Sequence, residues 1–385
     1  MSDLSLKPAL RFKGFTEAWE QRKLGDICKT YSGGTPLVSN KKFYNGNIPF
    51  IRSGEISSDI TELFISELGL NNSSAAMVNK GDILYALYGA TSGEVAISRV
   101  KGAINQAILA ILPIKDNNVF ITKWLQKNKK KIISTYLQGG QGNLSAEIVK
   151  SLILKMPVLN EQAKIGCLFT ELDTLITLHQ RKYEKLQTIK KGLLEKMFPA
   201  EGATMPQIRF KGFTEAWEQR KAKDLCSIAT GKSNTQDQVE NGIYPFFIRS
   251  DLPVKSNKYL YDEEAVITIG DGNIGKVFHY VNGKFDLHQR CYKMADFHCL
   301  TAKYFYWYFS TKFYKRAMSM TAKATVDSVR LEMISEMNIK YPKSLEEQNR
   351  ISGFLFSLDN LITLHQRKCE ILKNIKKSLL ERMFI

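Results

Sequence analysis

The run Gly270-Asp-Gly272-Asn-Ile-Gly275 matches the GxGxxG spacing with which backbone amides can cradle a pyrophosphate. Such a cradle needs its third glycine to open a helix whose N-terminus faces the phosphates. Here KVFHYVNGKFDLHQRCYKM follows, rich in β-type residues and carrying an Asn-Gly turn signal, so a loop or hairpin is expected. The counterpart Tyr88-Gly-Ala-Thr-Ser-Gly93 lacks the middle glycine. His288, Cys291, His298 and Cys299 could be imagined around zinc, but HxxC followed by HC matches no common ligand spacing. There is no GxSxG elbow, no GxxxxGK[ST] loop, and no Asn-Pro-Pro-aromatic or Asp-Pro-Pro-Tyr tetrapeptide to hold an adenine for amino methylation. No catalytic residue and no metal site is assigned.

The chemistry the chain does offer is charge. Lys plus Arg minus Asp plus Glu is 55 − 38 = +17, which points to a polyanionic partner, nucleic acid being the commonest. Lysines contact a DNA backbone without regard to sequence, whereas polar side chains on rigid loops can read base edges. Candidate readers on Gly-rich loops are Ser32, Thr35, Arg52, Tyr88, Thr91, Gln106, Gln141 and Asn143, with Lys130 for phosphates. The analogous second set is Lys232, Asn234, Arg249, Asp271, Asn273, His288, Gln289 and Lys323. Lys123, Trp124 and Lys127 to Lys131, and KYFYWYFSTKFYKR from Lys303 to Arg316, interleave bases with aromatics; the aromatics are expected in the core and the cations on a solvated face.

These residues must be positioned by a duplicated frame. RFKGFTEAWEQRK occurs at Arg11 to Lys23 and again at Arg209 to Lys221. LDTLITLHQRKYEKLQTIKKGLLEKMF, Leu172 to Phe198, recurs at Leu358 to Phe384 with 20 of 27 positions identical. Ile165, Leu172, His179, Leu186 and Leu193 fall seven apart, with Phe169, Ile176, Tyr183 and Met197 four later and Lys190 interrupting. Ile351, Leu358, His365, Leu372 and Leu379 repeat the series, with Leu355, Ile362, Cys369 and Met383. Each stripe predicts a coiled-coil helix of roughly 38 residues, about 57 Å long, and the two should bury each other. Antiparallel pairing about a pseudo-twofold axis would bring His179 and His365 together as a register device; a large stability loss in the His179→Leu/His365→Leu double variant would count against that role. Between the blocks, Asp82 to Leu87, Glu94 to Ile97, Ala107 to Leu112, Ala265 to Ile269 and Lys276 to Tyr280 read as strands, and Val119 to Leu137 and Ala302 to Met320 as helices. Each interior is thus a mixed α/β globule of about 140 residues.

No stretch approaches the roughly 18 apolar residues a bilayer span requires, and MSDLSLKPALRF carries no signal-like pattern, so a cytoplasmic protein without membrane association is expected. The six cysteines form no CxxC pair and are expected as reduced thiols.

The frame resembles the specificity subunit of type I restriction–modification systems across essentially the whole chain. The resemblance is carried by RFKGFTEAWEQRKLGDI at Arg11 to Ile27, YSGGTP at Tyr31 to Pro36, NGNIPFIRSGEI at Asn45 to Ile56, GDILYALYGATSG at Gly81 to Gly93, QGNLS at Gln141 to Ser145 and LDTLITLHQRK at Leu172 to Lys182. In the second copy Gly231-Lys-Ser-Asn replaces the SGGTP turn and Ala324-Thr-Val-Asp replaces QGNLS. The resemblance implies an α/β (α+β) fold: two mixed α/β target-recognition domains, 1–160 and 209–343, and two long antiparallel coiled-coil helices, 161–198 and 344–385, with a 199–208 linker and a pseudo-twofold arrangement. It implies a noncatalytic reader of a bipartite, asymmetric double-stranded DNA site, each domain reading one half and the helices setting the spacer. The partners implied are two methyltransferase (modification) subunits and restriction/translocase subunits. Those partners would bind S-adenosylmethionine, ATP and Mg; this chain would bind no cofactor. Lys190, Lys376 and outward helix positions are expected as docking surface. The alternative is a stand-alone structural or regulatory DNA-binding protein, which would be monodisperse and tight-binding alone, where a specificity subunit expressed without partners would be poorly soluble or bind weakly.

Overall fold

The computed structural model describes residues 7–137, 143–321 and 328–385. The chain divides into two compact units that are not consecutive in sequence: Met1–Gln180 with Arg367–Ile385, and Arg181–Gln366. Each long helix starts in one unit and contributes its end to the other.

The first unit runs β1 (Glu20–Lys23), α1 (Leu24–Ile27), β2 (Cys28–Ser32), β3 (Tyr44–Ile51), β4 (Leu63–Ile65), α2 (Glu67–Asn71), β5 (Ala76–Val78), β6 (Ile83–Ala86), β7 (Val95–Ile97), β8 (Gly102–Ile104), β9 (Ile108–Pro113), α3 (Asn118–Tyr136), α4 (Ala146–Ser151) and β10 (Ile153–Met156), then enters α5 (Leu159–Lys196). Two four-stranded sheets form, ordered β2-β9-β6-β7 and β4-β3-β8-β5, and β1 pairs with β10. The central strands read as unbroken apolar runs because both faces are covered. Alternate residues part company: Ile83, Tyr85, Leu109 and Ile111 face a core with Trp19, Phe120 and Trp124, while Leu84, Ala86, Ile108 and Ala110 face Ile51, Val78 and Ile104. Asn117 caps α3 by accepting the Phe120 N–H at 2.9 Å.

The second unit holds β11 (Glu218–Lys221), β12 (Ser227–Thr230), β13 (Tyr244–Phe247), β14 (Val254–Ser256), β15 (Tyr261–Ile269), β16 (Phe278–Leu287), β17 (Cys291–Ala295), α6 (Ala302–Thr321), α7 (Leu331–Ser335), β18 (Asn338–Tyr341) and the start of α8 (Leu345–Met383). One six-stranded sheet is ordered β12-β17-β15-β16-β13-β14, and β11 pairs with β18. The Asn282-Gly283 turn signal is overridden. Both residues lie inside β16, opposite Glu264 and Glu263, because β15 supplies an uninterrupted partner strand and Gly283 absorbs the local bend at φ +117°. Six aromatic or large side chains of α6, from Tyr304 to Phe313, are buried in its core.

The duplicated segments do the same work in both units. Arg11 donates through Nε and Nη2 to Glu161 at 2.7 Å each, and Arg209 to Glu347 at 2.6 and 2.8 Å. Gln162 accepts the Asn117 N–H that precedes α3; Gln348 accepts the Thr301 N–H that precedes α6. Leu10 N–H donates to Arg382 O in the first unit, and Ile208 N–H to Lys196 O in the second. The Met-Phe that ends each long helix is a plug: Phe384 lies 5.1 Å from the Phe120 ring, and Phe198 lies 5.9 Å from Tyr304.

Within the first unit the start of α5 and the end of α8 run antiparallel, since Phe169 meets Phe384, Asp173 meets Lys376 and Gln180 meets Cys369. Ile165 and Leu172 are buried, and Ile176, His179, Leu372 and Leu379 half-buried. In the second unit Ile351, Leu358 and Ile362 are buried, and Leu186, Leu193 and His365 half-buried. The seven-residue series thus marks the less exposed stripe of each helix.

Several cations expected on solvated faces are instead tied to partners within the protein. Lys190 pairs with Asp359 at 2.5 Å and lies over the Trp307 ring, and Lys376 pairs with Asp173 at 2.5 Å. Their side chains stay 26% and 25% exposed, so each ammonium is held in an ion pair on its helix and only partly covered. Lys123 is buried and pairs with Asp173 at 2.7 Å. Burial pushes Asp173 up, but the ammonium groups of Lys123 and Lys376 outweigh it and hold the carboxyl below its usual range. Arg316 Nε donates to Met333 O at 2.7 Å, tying α6 to α7. Among the described residues no helix is long and apolar enough to cross a membrane, and no group of three His, Cys, Asp or Glu could hold a metal ion.

Candidate nucleic-acid interface

In each unit one end of the sheets gathers the polar loops. In the first unit β3 runs parallel to β8, Ile51 opposite Ile104, so Arg52 leaves the sheet beside the Asn105-Gln106 loop. β2 ends at Ser32 opposite Leu109, and Gly33 then crosses Ile104 so closely that a Cβ would lie 1.8 Å from its carbonyl oxygen. That crossing places Thr35 to donate to Gln106 Oε1 at 2.6 Å. Tyr88 and Asn143 form a β-bridge at the end of β6, and Thr91 Oγ1 donates to Tyr88 O at 3.3 Å. Lys130 is exposed on α3, next to Lys129, which pairs with Glu94. Gln141 lies outside the described residues.

The second unit repeats the construction with other side chains. β13 runs parallel to β16, Phe247 opposite Leu287. Gly231 crosses Leu287, where a Cβ would lie 2.1 Å from the carbonyl oxygen. Exposed Lys232 and half-buried Asn234 follow, the latter preceding a 3-10 turn. Asp271 forms a β-bridge with Ser328, the counterpart of Tyr88 with Asn143. Asn273 and Gln289 are exposed on the same loops. The GxGxxG run is the loop between antiparallel β15 and β16, with no helix at its third glycine. Lys323 lies outside the described residues.

Three of these side chains are committed within the protein. His288 is only 4% exposed; its Nδ1 accepts the Arg290 N–H at 3.1 Å and its Nε2 lies 3.4 Å from Thr235 Oγ1. Burial, and then the nearby Arg249, push its pKa below the ordinary histidine value, so the ring is neutral and shapes the loop. Asp271 holds Arg249 Nη1 at 3.2 Å and Arg290 Nη1 at 2.8 Å, acting as a brace. Arg52 gives Nε and Nη2 to Glu55 and Nη2 also to Glu62 at 2.5 Å. Donating to these two carboxylates raises its pKa above the ordinary arginine value, so it stays cationic.

Arg290, the most exposed of these three arginines, is not among the candidate readers named from the sequence. The available signal was its place directly after His288-Gln289 in the same loop. Glu55, Glu62 and the brace role of Asp271 carried no signal, because a carboxylate's partner is set by folding.

The arrangement is thus two loop clusters, equivalent in backbone and different in polar content, on a duplicated frame. The family model of the type I restriction modification DNA specificity domain matches residues 16–188 and 214–374. The chain is 24% identical to the type I restriction enzyme MjaVIII specificity subunit of Methanocaldococcus jannaschii, over 94% of this chain and 91% of that protein. It is 28% identical to the EcoR124I/EcoR124II specificity subunit of Escherichia coli over 46% of this chain and 48% of that one. Its fold is like that of the crystallised type I restriction–modification S subunit from M. genitalium, at TM-score 0.72 and 14% identity, covering 98% and 99% of the two chains. With the family's domain present twice across most of its length, the chain belongs to the type I restriction–modification DNA specificity subunits and carries two target-recognition domains.

Proposed function

We propose that this chain is the noncatalytic reader of a bipartite, asymmetric DNA site. Each recognition domain takes one short half-site through its loop cluster, and the long helices set the gap of unread base pairs. The observation that carries this is the pair of equivalent loop clusters with dissimilar side chains at matched positions: Gly34 against Lys232, Tyr88 against Asp271 and Ala107 against Arg290, with Gln106 and Gln289 shared. One scaffold offering two different donor and acceptor sets suits two different base sequences.

The helices supply a second argument. Leu175 and Leu178 are exposed on α5, and their copies Leu361 and Leu364 are exposed on α8. A duplicated apolar face off the buried seam suits two copies of one partner, which we assign to two methyltransferase subunits. Restriction subunits would join that assembly, and S-adenosylmethionine, ATP and Mg would be bound by the partners.

Methylome sequencing of a host carrying this chain with its partners tests the reading. A split adenine-methylated motif with a fixed gap is expected. A single uninterrupted motif would overturn it.

A further inference from the structure

We propose that Arg290 reads a guanine in the half-site of the second recognition domain, an inference that rests on the bipartite reading above. Arg290 lies in the loop between β16 and β17 with its side chain 62% exposed. Its backbone is pinned on both sides: the N–H donates to His288 Nδ1 at 3.1 Å, and the carbonyl accepts the Gly270 N–H at 2.7 Å. Its Nη1 is tethered to Asp271 at 2.8 Å. Nε and Nη2 make no hydrogen bond among the described residues. That edge is a planar fork of two parallel donors, matching guanine O6 and N7. The tether to Asp271 narrows the side-chain freedom to be lost on binding, which favours affinity.

A phosphate is the competing target for such a fork, and two observations disfavour it. Asp271 sits beside the guanidinium, and its carboxylate repels a fully charged phosphate more strongly than the neutral acceptor edge of a base. Arg290 also has no counterpart in the first unit. Cys291 pairs with Ile269 as Ile108 pairs with Ala86, so Ala107 occupies the place of Arg290. The phosphate backbone is common to both half-sites, and a residue present in one unit only suits what differs between them. Arg52 in the first unit cannot substitute, because Glu55 and Glu62 already occupy its Nε and Nη2.

The test is methylome sequencing, with competition binding against half-site libraries, of the assembled methyltransferase complex carrying wild-type chain, Arg290→Ala or Arg290→Gln. The wild-type motif is expected to contain a G·C pair that becomes degenerate with Arg290→Ala, at a loss of about 10- to 100-fold in discrimination, while the other half-site stays unchanged. Arg290→Gln is expected to move that position toward adenine, whose N6 and N7 match the amide, a gain that misfolding cannot produce. A split wild-type motif that neither variant alters overturns this inference alone. So does a uniform affinity loss across all sequences with a salt slope reduced by about one, the mark of a phosphate contact. A wild-type complex with no split motif overturns the bipartite reading and this inference together.

Discussion

Replacing Arg11 by alanine should cost the first unit far more than a surface ion pair would. Glu161 is fully buried, and both its oxygens accept from Arg11, itself 13% exposed. Removing the guanidinium leaves a carboxylate with neither water nor a counter-charge, a situation worth about 3–5 kcal/mol. The Arg11 Nη1 bond to Glu17 O is lost as well. Against a domain stability of about 5–15 kcal/mol this is a large fraction. Arg209→Ala should cost roughly 1 kcal/mol less, because the Trp217 indole N–H still reaches Glu347 Oε1 at 3.4 Å, whereas the Trp19 indole N–H has no partner among the described residues. Removing both charges together, as Arg11→Met/Glu161→Leu, should be close to neutral, since no unpaired ion remains. Urea unfolding followed by tryptophan fluorescence measures each cost, with hydrogen exchange over 159–162 locating it. An Arg11→Ala cost below about 1 kcal/mol, or a double variant as damaging as the single, would refute the argument.

Acidification should weaken the second unit selectively. His279 and His288 both titrate below the ordinary value, chiefly because they are buried, so the unfolded chain binds protons more readily than the folded one. Their contribution is complete above about pH 6.5 and declines as pH falls. Melting temperatures between about pH 7.5 and about pH 5.5 should show the drop, flattened in His288→Gln. DNA affinity of the assembled complex should fall by about 10³-fold or more between about 50 and about 200 mM salt if about six or more phosphates are neutralised; a flat response would contradict backbone binding. Leu175→Asp/Leu178→Asp should leave the fold of the first unit intact and reduce methyltransferase capture in a pull-down. Unchanged capture would remove these leucines from the docking face.

Local regularities were legible in the amino-acid sequence. Verbatim duplication exposed the two-copy frame, the seven-residue series marked the helix stripes, and apolar runs located the central strands, because period and composition are properties of neighbouring residues. Convergence of Thr35 with Gln106, and of the second-unit loops around Asp271, was visible only as a set of polar residues near glycines. Tertiary structure decided which of them face outward. Lys123, Lys190 and Lys376 resemble any solvated lysine until folding brings Asp173 or Asp359 to them. Asn282-Gly283 signals a turn until β15 supplies a continuous partner. His288 resembles a loop reader until its ring is enclosed. In each case the deciding energy is a long-range pairing or burial term, larger than the local preference it overrides and absent from any short stretch of sequence.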